Sequence, residues 1–395
     1  MNYLQTLHYR MGDLIFKSIT VCVVVCSLSL FLGSCRKEAA NKPDGETEVI
    51  DFTSFSEIEV ERFPEAIVRE KTYINLDAST DELLFSRIDR VKIIHDRIYI
   101  LGRQGVRTRK LLVFDWTGTG IGAVGRRGQG PEEYIQISSF DVNERGDIFF
   151  IDGTLDKDRV FVFDRNLQFV SVRRLPFEAD IIKCLPGDRL LFGLASWNKG
   201  QNAPMKLAVT DRDLNTEQAY VEYDEYIDTT NWLSDCFFID AGGRIQYNKH
   251  IDNNVYEISP EGALMKTYRF DFGKKNMPDI YKKDIEMNLM EMEKYDCLLN
   301  FTAITDRYIM GTLYDQGRRK AYIADRNSRK LYTIAYRTEM PYPESLSNMG
   351  HYTDDRFITF IYPGKYKDLH SEDLPPEVKE HIENENFTIC LNCLK

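Results

Sequence analysis

The chain has 395 residues and a formal net charge of −11. Its 43% hydrophobic content suffices for a buried core, and the 12% aromatic share leans toward strands, where flat rings pack on pleated surfaces. The acidic balance repels a phosphate backbone and excludes nucleic acid as a partner. In chain order, the first element is an apolar run from Ile19 to Leu32, preceded by Arg10 and Lys17 and followed by Gly33, Ser34 and Cys35. At roughly 14 residues it is short for a bilayer span and fits the h-region of a secretion signal.

The string Leu32-Gly33-Ser34-Cys35 resembles the lipobox of bacterial lipoproteins. That resemblance implies a signal over residues 1–34, cleavage before Cys35, and a lipid bilayer held through acylated Cys35. Arg36 stands where Asp would imply inner-membrane retention, which points to the outer membrane, on its periplasmic or surface side. The other reading of this segment is an uncleaved N-terminal anchor helix. Residues 35–50 are charged, contain Gly and Pro and lack apolar periodicity, so they read as a flexible tether.

From residue 51 onward short apolar strands alternate with turn signals. One unit recurs: a tight turn with Asp or Gly and an Arg, then an apolar strand. It appears at His95-Asp96-Arg97, Arg145-Gly146-Asp147, Gly187-Asp188-Arg189, Gly242-Gly243-Arg244, Asp306-Arg307 and Asp354-Asp355-Arg356. A second strand often ends in Asp and a turn, as at Asp115, Asp164, Asp211 and Asp325, and a third strand follows. About six copies at intervals of roughly 40 to 60 residues, each with four strands, describe a six-bladed β-propeller of antiparallel blades. The sixth copy ends one strand short, after a helix over Pro375 to Glu383. A segment near the start, Phe52 to Val60 or Tyr73 to Leu76, is expected to complete it and close the ring. One helical insertion is expected at Pro278 to Tyr295, with Ile280, Ile285, Leu289 and Met292 on one face. The domain spans residues 51–395.

Blade geometry sorts the connections onto two faces. Turns between first and second and between third and fourth strands are short and share one face. Second-to-third loops and the crossings between blades are long and share the other, where function is expected to sit. On that face lies Gly125-Arg126-Arg127-Gly128-Gln129-Gly130-Pro131-Glu132-Glu133-Tyr134. This string, G-R-x-G-x-G-P-x-E-Y preceded by V-F-D-x-x-G, is similar to the six-bladed β-propeller lipoproteins of Bacteroidetes-type bacteria, related in fold to NHL-repeat propellers. The resemblance implies the fold and an envelope location over about residues 50–395, and no established reaction; Glu132 departs from it, standing where Gly is usual.

Two readings of the motif stay open. In one, Arg126, Glu133 and Tyr134 brace the crossing between blades. In the other, Arg126, Arg127 and Gln129 offer donors to an anionic or sugar ligand. No Lys-Ser/Thr follows and no βαβ unit surrounds it, which excludes phosphate and dinucleotide loops. Trp197 and His250 are further loop candidates, each with a packing role as its rival. Arg103, Arg107 and Arg109 read as a solvated basic loop. After signal removal, Cys184, Cys236, Cys297, Cys390 and Cys393 remain beside Cys35, too scattered for a disulfide framework. Cys390 and Cys393, three apart on a strand, are expected to face opposite ways, one into the core and one to the surface.

No G-x-S-x-G, H-E-x-x-H or EF-hand string occurs, so no cofactor, metal or catalytic residue is assigned. The expected function is a binding module for a glycan, a peptide or an envelope protein, through the long-loop face. The alternative is a propeller enzyme of the metal-dependent lactonase or lyase type, with its site in the central channel. The presumed inner strands, such as Gln136 to Val142 and Ile181 to Leu185, look apolar or neutral and favour binding.

Overall fold

The computed structural model describes residues 45–78, 80–105, 108–153, 158–223, 237–249, 251–336, 344–363 and 373–395. The expected signal, Cys35 and the tether up to residue 44 lie outside them. Gly45–Lys395 forms one unit, a six-bladed propeller.

Blades 1 to 3 take their strands in chain order. They are Arg87–Ile94, Arg97–Gln104, Thr108–Asp115 and Gly120–Ala123; then Ile137–Val142, Ile148–Asp152, Arg159–Phe163 and Phe169–Arg174; then Ala179–Leu185, Arg189–Leu194, Met205–Thr210 and Thr216–Glu222. Blade 4 runs Ile239–Ala241, Arg244–Tyr247, Asn254–Ile258 and Leu264–Asp271; blade 5 runs Asp296–Ile304, Tyr308–Asp315, Arg318–Asp325 and Lys330–Ala335. Blade 6 has Glu344–Thr353, Arg356–Ile361 and Thr388–Leu394, completed by Val68–Asn75 from the start of the chain. That strand pairs antiparallel with Thr388–Leu394, so the ring closes through the segment around Tyr73.

The other N-terminal strand does something the sequence did not suggest. Residues 46–50, assigned above to the tether, begin the strand Glu46–Asp51, which adds parallel to the outer edge of blade 4. Ser56–Glu59 then adds parallel to the outer edge of blade 5. Between them Phe52 drops inward, its ring 5.3 Å from Phe270, 5.3 Å from Phe272 and 5.5 Å from Tyr322. The Asp51 carboxylate holds this turn by accepting from the Thr53 amide at 2.9 Å. The first part of the chain is thus a strap across two blades before it closes a third.

Strands buried on both faces explain the continuous apolar runs. Apolar clusters fill the gaps between consecutive blades, for example Tyr99, Leu111 and Val113 of blade 1 against Phe140, Phe150 and Phe161 of blade 2. Ile358, Phe360 and Ile389 of blade 6 meet Ile98, Ile100 and Leu112 of blade 1, which seals the circle. Each such side chain contributes about 1.5–3 kcal/mol on burial. The same double burial corrects the expectation for the C-x-x-C pair: Cys390 and Cys393 are both buried, since blade 6 has no solvent face along Thr388–Leu394.

The recurring turn residues have physical jobs. Asp115, Asp164 and Asp211 each accept two backbone amides of their own turn, two and four residues on, at 2.8–3.0 Å. The Arg and Asp of first-to-second turns link neighbours, as Arg145 reaches Asp188 of the next blade at 2.5 Å. The helical insertion is two short helices, Asp279–Lys282 and Ile285–Met292, rather than one. Asp284 interrupts it by accepting from the Met287 amide at 3.1 Å, the role of an N-cap that starts a new helix. The last helix, Pro376–Glu383, lies where the sequence places it.

Candidate functional site

On the long-loop face the glycine-rich crossing folds upon itself. Arg126–Arg127 pairs parallel with Glu133–Tyr134. The Glu133 carboxylate accepts from the Gly130 amide at 2.9 Å, and a Cβ on Gly128 would sit 1.9 Å from the same carboxylate oxygen. Tyr134 is buried against Phe150, and burial pushes its hydroxyl up to about 12. Arg127 donates from Nε to the Ile135 carbonyl at 3.1 Å; Arg126 and Gln129 point to solvent. Glu133 and Tyr134 therefore brace the crossing, and Arg126, Arg127 and Gln129 line no shared cavity with them.

A hollow on this face lies elsewhere, between blade 4, the third strand of blade 3 and the helical insertion. It measures about 620 Å³, within the range of ligand sites. Two lysines form its floor. Lys206 donates to Asp252 at 2.6 Å and to the Tyr256 hydroxyl at 3.0 Å, while Asn254 donates to the other Asp252 oxygen at 2.7 Å. Lys249, 1% exposed, donates to Asp180 at 2.6 Å. Burial alone would push the Asp252 carboxyl up, but Lys206 outweighs it and holds the group below its ordinary value. Buried lysines occur almost only when paired, and such pairs add little stability over apolar packing. Two of them beside one hollow make it the candidate site on this face.

The wall adds Arg269 and Asp271 from the outer strand of blade 4, Lys283 and an ion pair of Lys282 with Asp279 at 2.9 Å from the insertion, and the amides of Asn253 and Asn276. The Gly273 amide, Asn276 and Arg269 together hold the Asp271 carboxyl below its ordinary value. Tyr223 lies over both floor ammoniums, at 5.5 Å from Lys206 and 5.9 Å from Lys249. Trp197 does not line the hollow; its ring stands 6.0 Å from Lys249 Nζ, behind the floor. His250 and Arg107 lie outside the described residues.

The axial channel departs most from the sequence reading. Its inner strands carry Arg90 and Lys92 (blade 1), Asp141 (blade 2), Lys183 (blade 3) and Asp240 (blade 4), four of them within two pairs of the short first-to-second turn. Asp141, fully buried, accepts from Lys92 and from the Cys184 amide at 2.7 Å, with Lys183 at 3.5 Å. Lys183 also donates to Asp240 at 2.8 Å. Burial would raise the Asp141 carboxyl, yet Lys183, Lys92 and Arg90 hold it far below the ordinary carboxylate range. At the other mouth Asp89 is gripped by Arg103 at 2.5 Å and Arg109 at 2.7 Å, so those two arginines of the basic loop are ion-paired rather than merely solvated. Among the described residues no three His, Cys, Asp or Glu side chains gather as a metal site.

The signal for this channel was present but faint. In Arg87–Ile94 charged residues alternate with apolar ones, the period of a strand with one polar face. Single acidic or basic residues at one height in the other inner strands looked like isolated exceptions.

The profile of a family described as "Domain of unknown function (DUF4934)" matches residues 48–389. No curated protein matches the chain. Among solved structures, a protein of Bacteroides fragilis NCTC 9343 named "Putative exported protein" is 18% identical, aligned over 88% of this chain and 100% of its own, with a TM-score of 0.70. A member of the DUF4221 family from Bacteroides vulgatus ATCC 8482 is 8% identical over 83% of this chain and 97% of its own, with a TM-score of 0.48. The first likeness is one of fold.

Proposed function

The chain belongs to the DUF4934 family, and from that premise we propose that it is an exported, lipid-anchored binding module whose long-loop face takes an acidic, sugar-sized ligand. The hollow floored by Lys206 and Lys249 carries this reading. Its floor is a pair of neutralised ion pairs, so added charge is set by the wall, where Arg269, Lys282 and Lys283 outnumber Asp271 and Asp279. A cation-rich cavity in a chain of net charge −11 concentrates anions locally while the rest of the surface repels them. The side-chain oxygens of Asn253 and Asn276 are taken by backbone amides, and the Asn253 NH2 group is the one left to meet a hydroxyl, which favours an acidic saccharide over a simple ion.

The export half of the proposal rests on the signal-like segment before Cys35 and on the name of the B. fragilis protein. Among the described residues no helix is long and apolar enough to cross a membrane. The anchor is tested by fatty-acid labelling in a bacterial host: label and membrane association are expected in the native chain and lost in Cys35→Ser. Binding is tested by calorimetric titration with acidic and neutral oligosaccharides. Acidic ones are expected to bind in a salt-sensitive way and to lose about tenfold or more in Arg269→Ala at unchanged melting temperature. Equal response to neutral sugars, or indifference to Arg269→Ala, would overturn the reading.

A further inference from the structure

A second site lies on the axis, toward the short-turn end of the channel and away from the loop-face hollow. A cavity of about 100 Å³ there is lined by Arg90, Phe237, Asp240, Thr312 and His351 among others. Three of these side chains hold hydrogen-bonding capacity that the fold leaves unused. The Arg90 guanidinium lies between two phenyl rings, 5.2 Å from Phe140 and 4.9 Å from Phe237. It donates one hydrogen bond, from Nη1 to the Phe140 carbonyl at 3.0 Å; among the described residues no carboxylate lies within ion-pair distance of it, Asp141 and Asp240 acting on it from farther off. Nε2 of His351 and Oγ1 of Thr312 are buried without a hydrogen-bond partner. Buried polar groups are normally satisfied, so three idle ones around one cavity call for an occupant.

The charge balance says which kind. Arg90, Lys92 and Lys183 face Asp141 and Asp240, and the third lining carboxylate, Asp89, is taken by Arg103 and Arg109, which leaves at least one positive charge in excess. Burial pushes the His351 imidazole down to about 4, against the opposing pull of Asp354 and Asp240, so at neutral pH it adds no charge and keeps one N–H to donate. The occupant must supply one negative charge and acceptors for a planar guanidinium, a hydroxyl and an imidazole. We propose that the axial cavity binds a carboxylate, gripped by Arg90 from between its two rings and hydrogen-bonded by Thr312 and His351. Guanidinium and carboxylate match as paired planar groups. The volume is below that of sugar-sized sites, so the occupant is a small free carboxylate or the tip of a longer chain. Asp240, 58% exposed, places the cavity's opening at this mouth.

The test titrates the purified protein with sodium acetate against sodium chloride at matched ionic strength, and with a short peptide bearing a free or an amidated C-terminus. NMR follows the His351 ring and calorimetry follows binding. Acetate, at concentrations on the order of 10 mM, is expected to shift the His351 signals and raise that ring's apparent pKa. Arg90→Met is expected to weaken the response by about tenfold or more, and Thr312→Val, nearly isosteric, to weaken it less. A free-terminus peptide binding more tightly than acetate, with the amide silent, supports the proposal and names a chain end as the source; acetate alone supports a free metabolite. No response beyond chloride in either arm, or one that survives both variants, overturns it and leaves the cavity to water.

Discussion

Replacing Asp141 by Asn tests how the channel is held together. The side chain is fully buried, and its carboxylate is the acceptor for Lys92 and a neighbour of Lys183 at 3.5 Å. Asn keeps the shape and one acceptor but removes the charge, leaving Lys92 buried without an anion while Lys183 keeps Asp240. Breaking one side of a buried pair costs about 3–5 kcal/mol. For a ring spanning Gly45–Lys395, an unfolding entropy of about 2.1 cal/mol/K per residue turns that into a fall of about 4–7 °C in Tm. Calorimetry or circular dichroism reads it directly. The Lys92→Met/Asp141→Asn double variant, which removes the stranded charge, is expected to recover more than half of the loss. The pH dependence has a fixed sign. Because the folded carboxyl lies below its unfolded value, its contribution is complete above about pH 4 and fades only as pH falls toward the folded value. The gap between native and Asp141→Asn proteins should therefore be constant from pH 7 to 5 and narrow only in stronger acid. A single variant melting within a degree of the native protein, or a double variant worse than the single, would refute the reasoning.

Asp158 has the opposite sign: burial, with Asp180, Glu178 and Asp152 nearby, raises its carboxyl to about 6 despite a hydrogen bond from the Ala179 amide. Its folded value exceeds the unfolded one, so it destabilises the ring above that value and ceases to do so in acid. Asp158→Asn should raise stability at pH 8 by on the order of 1 kcal/mol after solvent screening and by nothing at pH 4, as followed by denaturant titration at the two pH values. Phe52→Ala removes the plug of the strap; hydrogen exchange over residues 46–59 should rise well before the blades respond, with a loss of about 3 kcal/mol or more in overall stability if the strap unfolds with the ring. Asp211→Ala leaves the Asp213 and Asn215 amides without their acceptor and should lower the midpoint of a urea melt.

The idle donors around the axis and the paired lysines of the loop face share one physical feature. Both sites are basic pockets inside an acidic protein, and both draw charged groups from several blades that are far apart in sequence. Lys206 and Asp252 are neighbours through adjacent blades, as are Lys92 and Asp141. A ring brings such residues together because every blade presents its equivalent strands and loops at the same radius and height.

Local chemistry made the architecture readable from the chain alone. Turn residues such as Asp115 and Asp211 act within five residues of themselves, and strands such as Leu112–Phe114 are apolar throughout because neighbours cover both faces, so each blade is written in its own segment. The closing strand near Tyr73 followed from counting, since one blade lacked a fourth strand. The strap was not readable, because Glu46–Asp51 is short and charged, and the partners that hold it, the outer strand of blade 4 and the Lys266 and Arg326 that pair with Glu48, lie more than two hundred residues away. The glycine-rich crossing drew attention as a motif, yet Glu133 and Gly130 spend it on bracing. Conversely, Arg90, Lys92, Asp141 and Lys183 are single charges in separate strands. Only the closing of the ring sets them face to face, and burial then gives each charge its consequence.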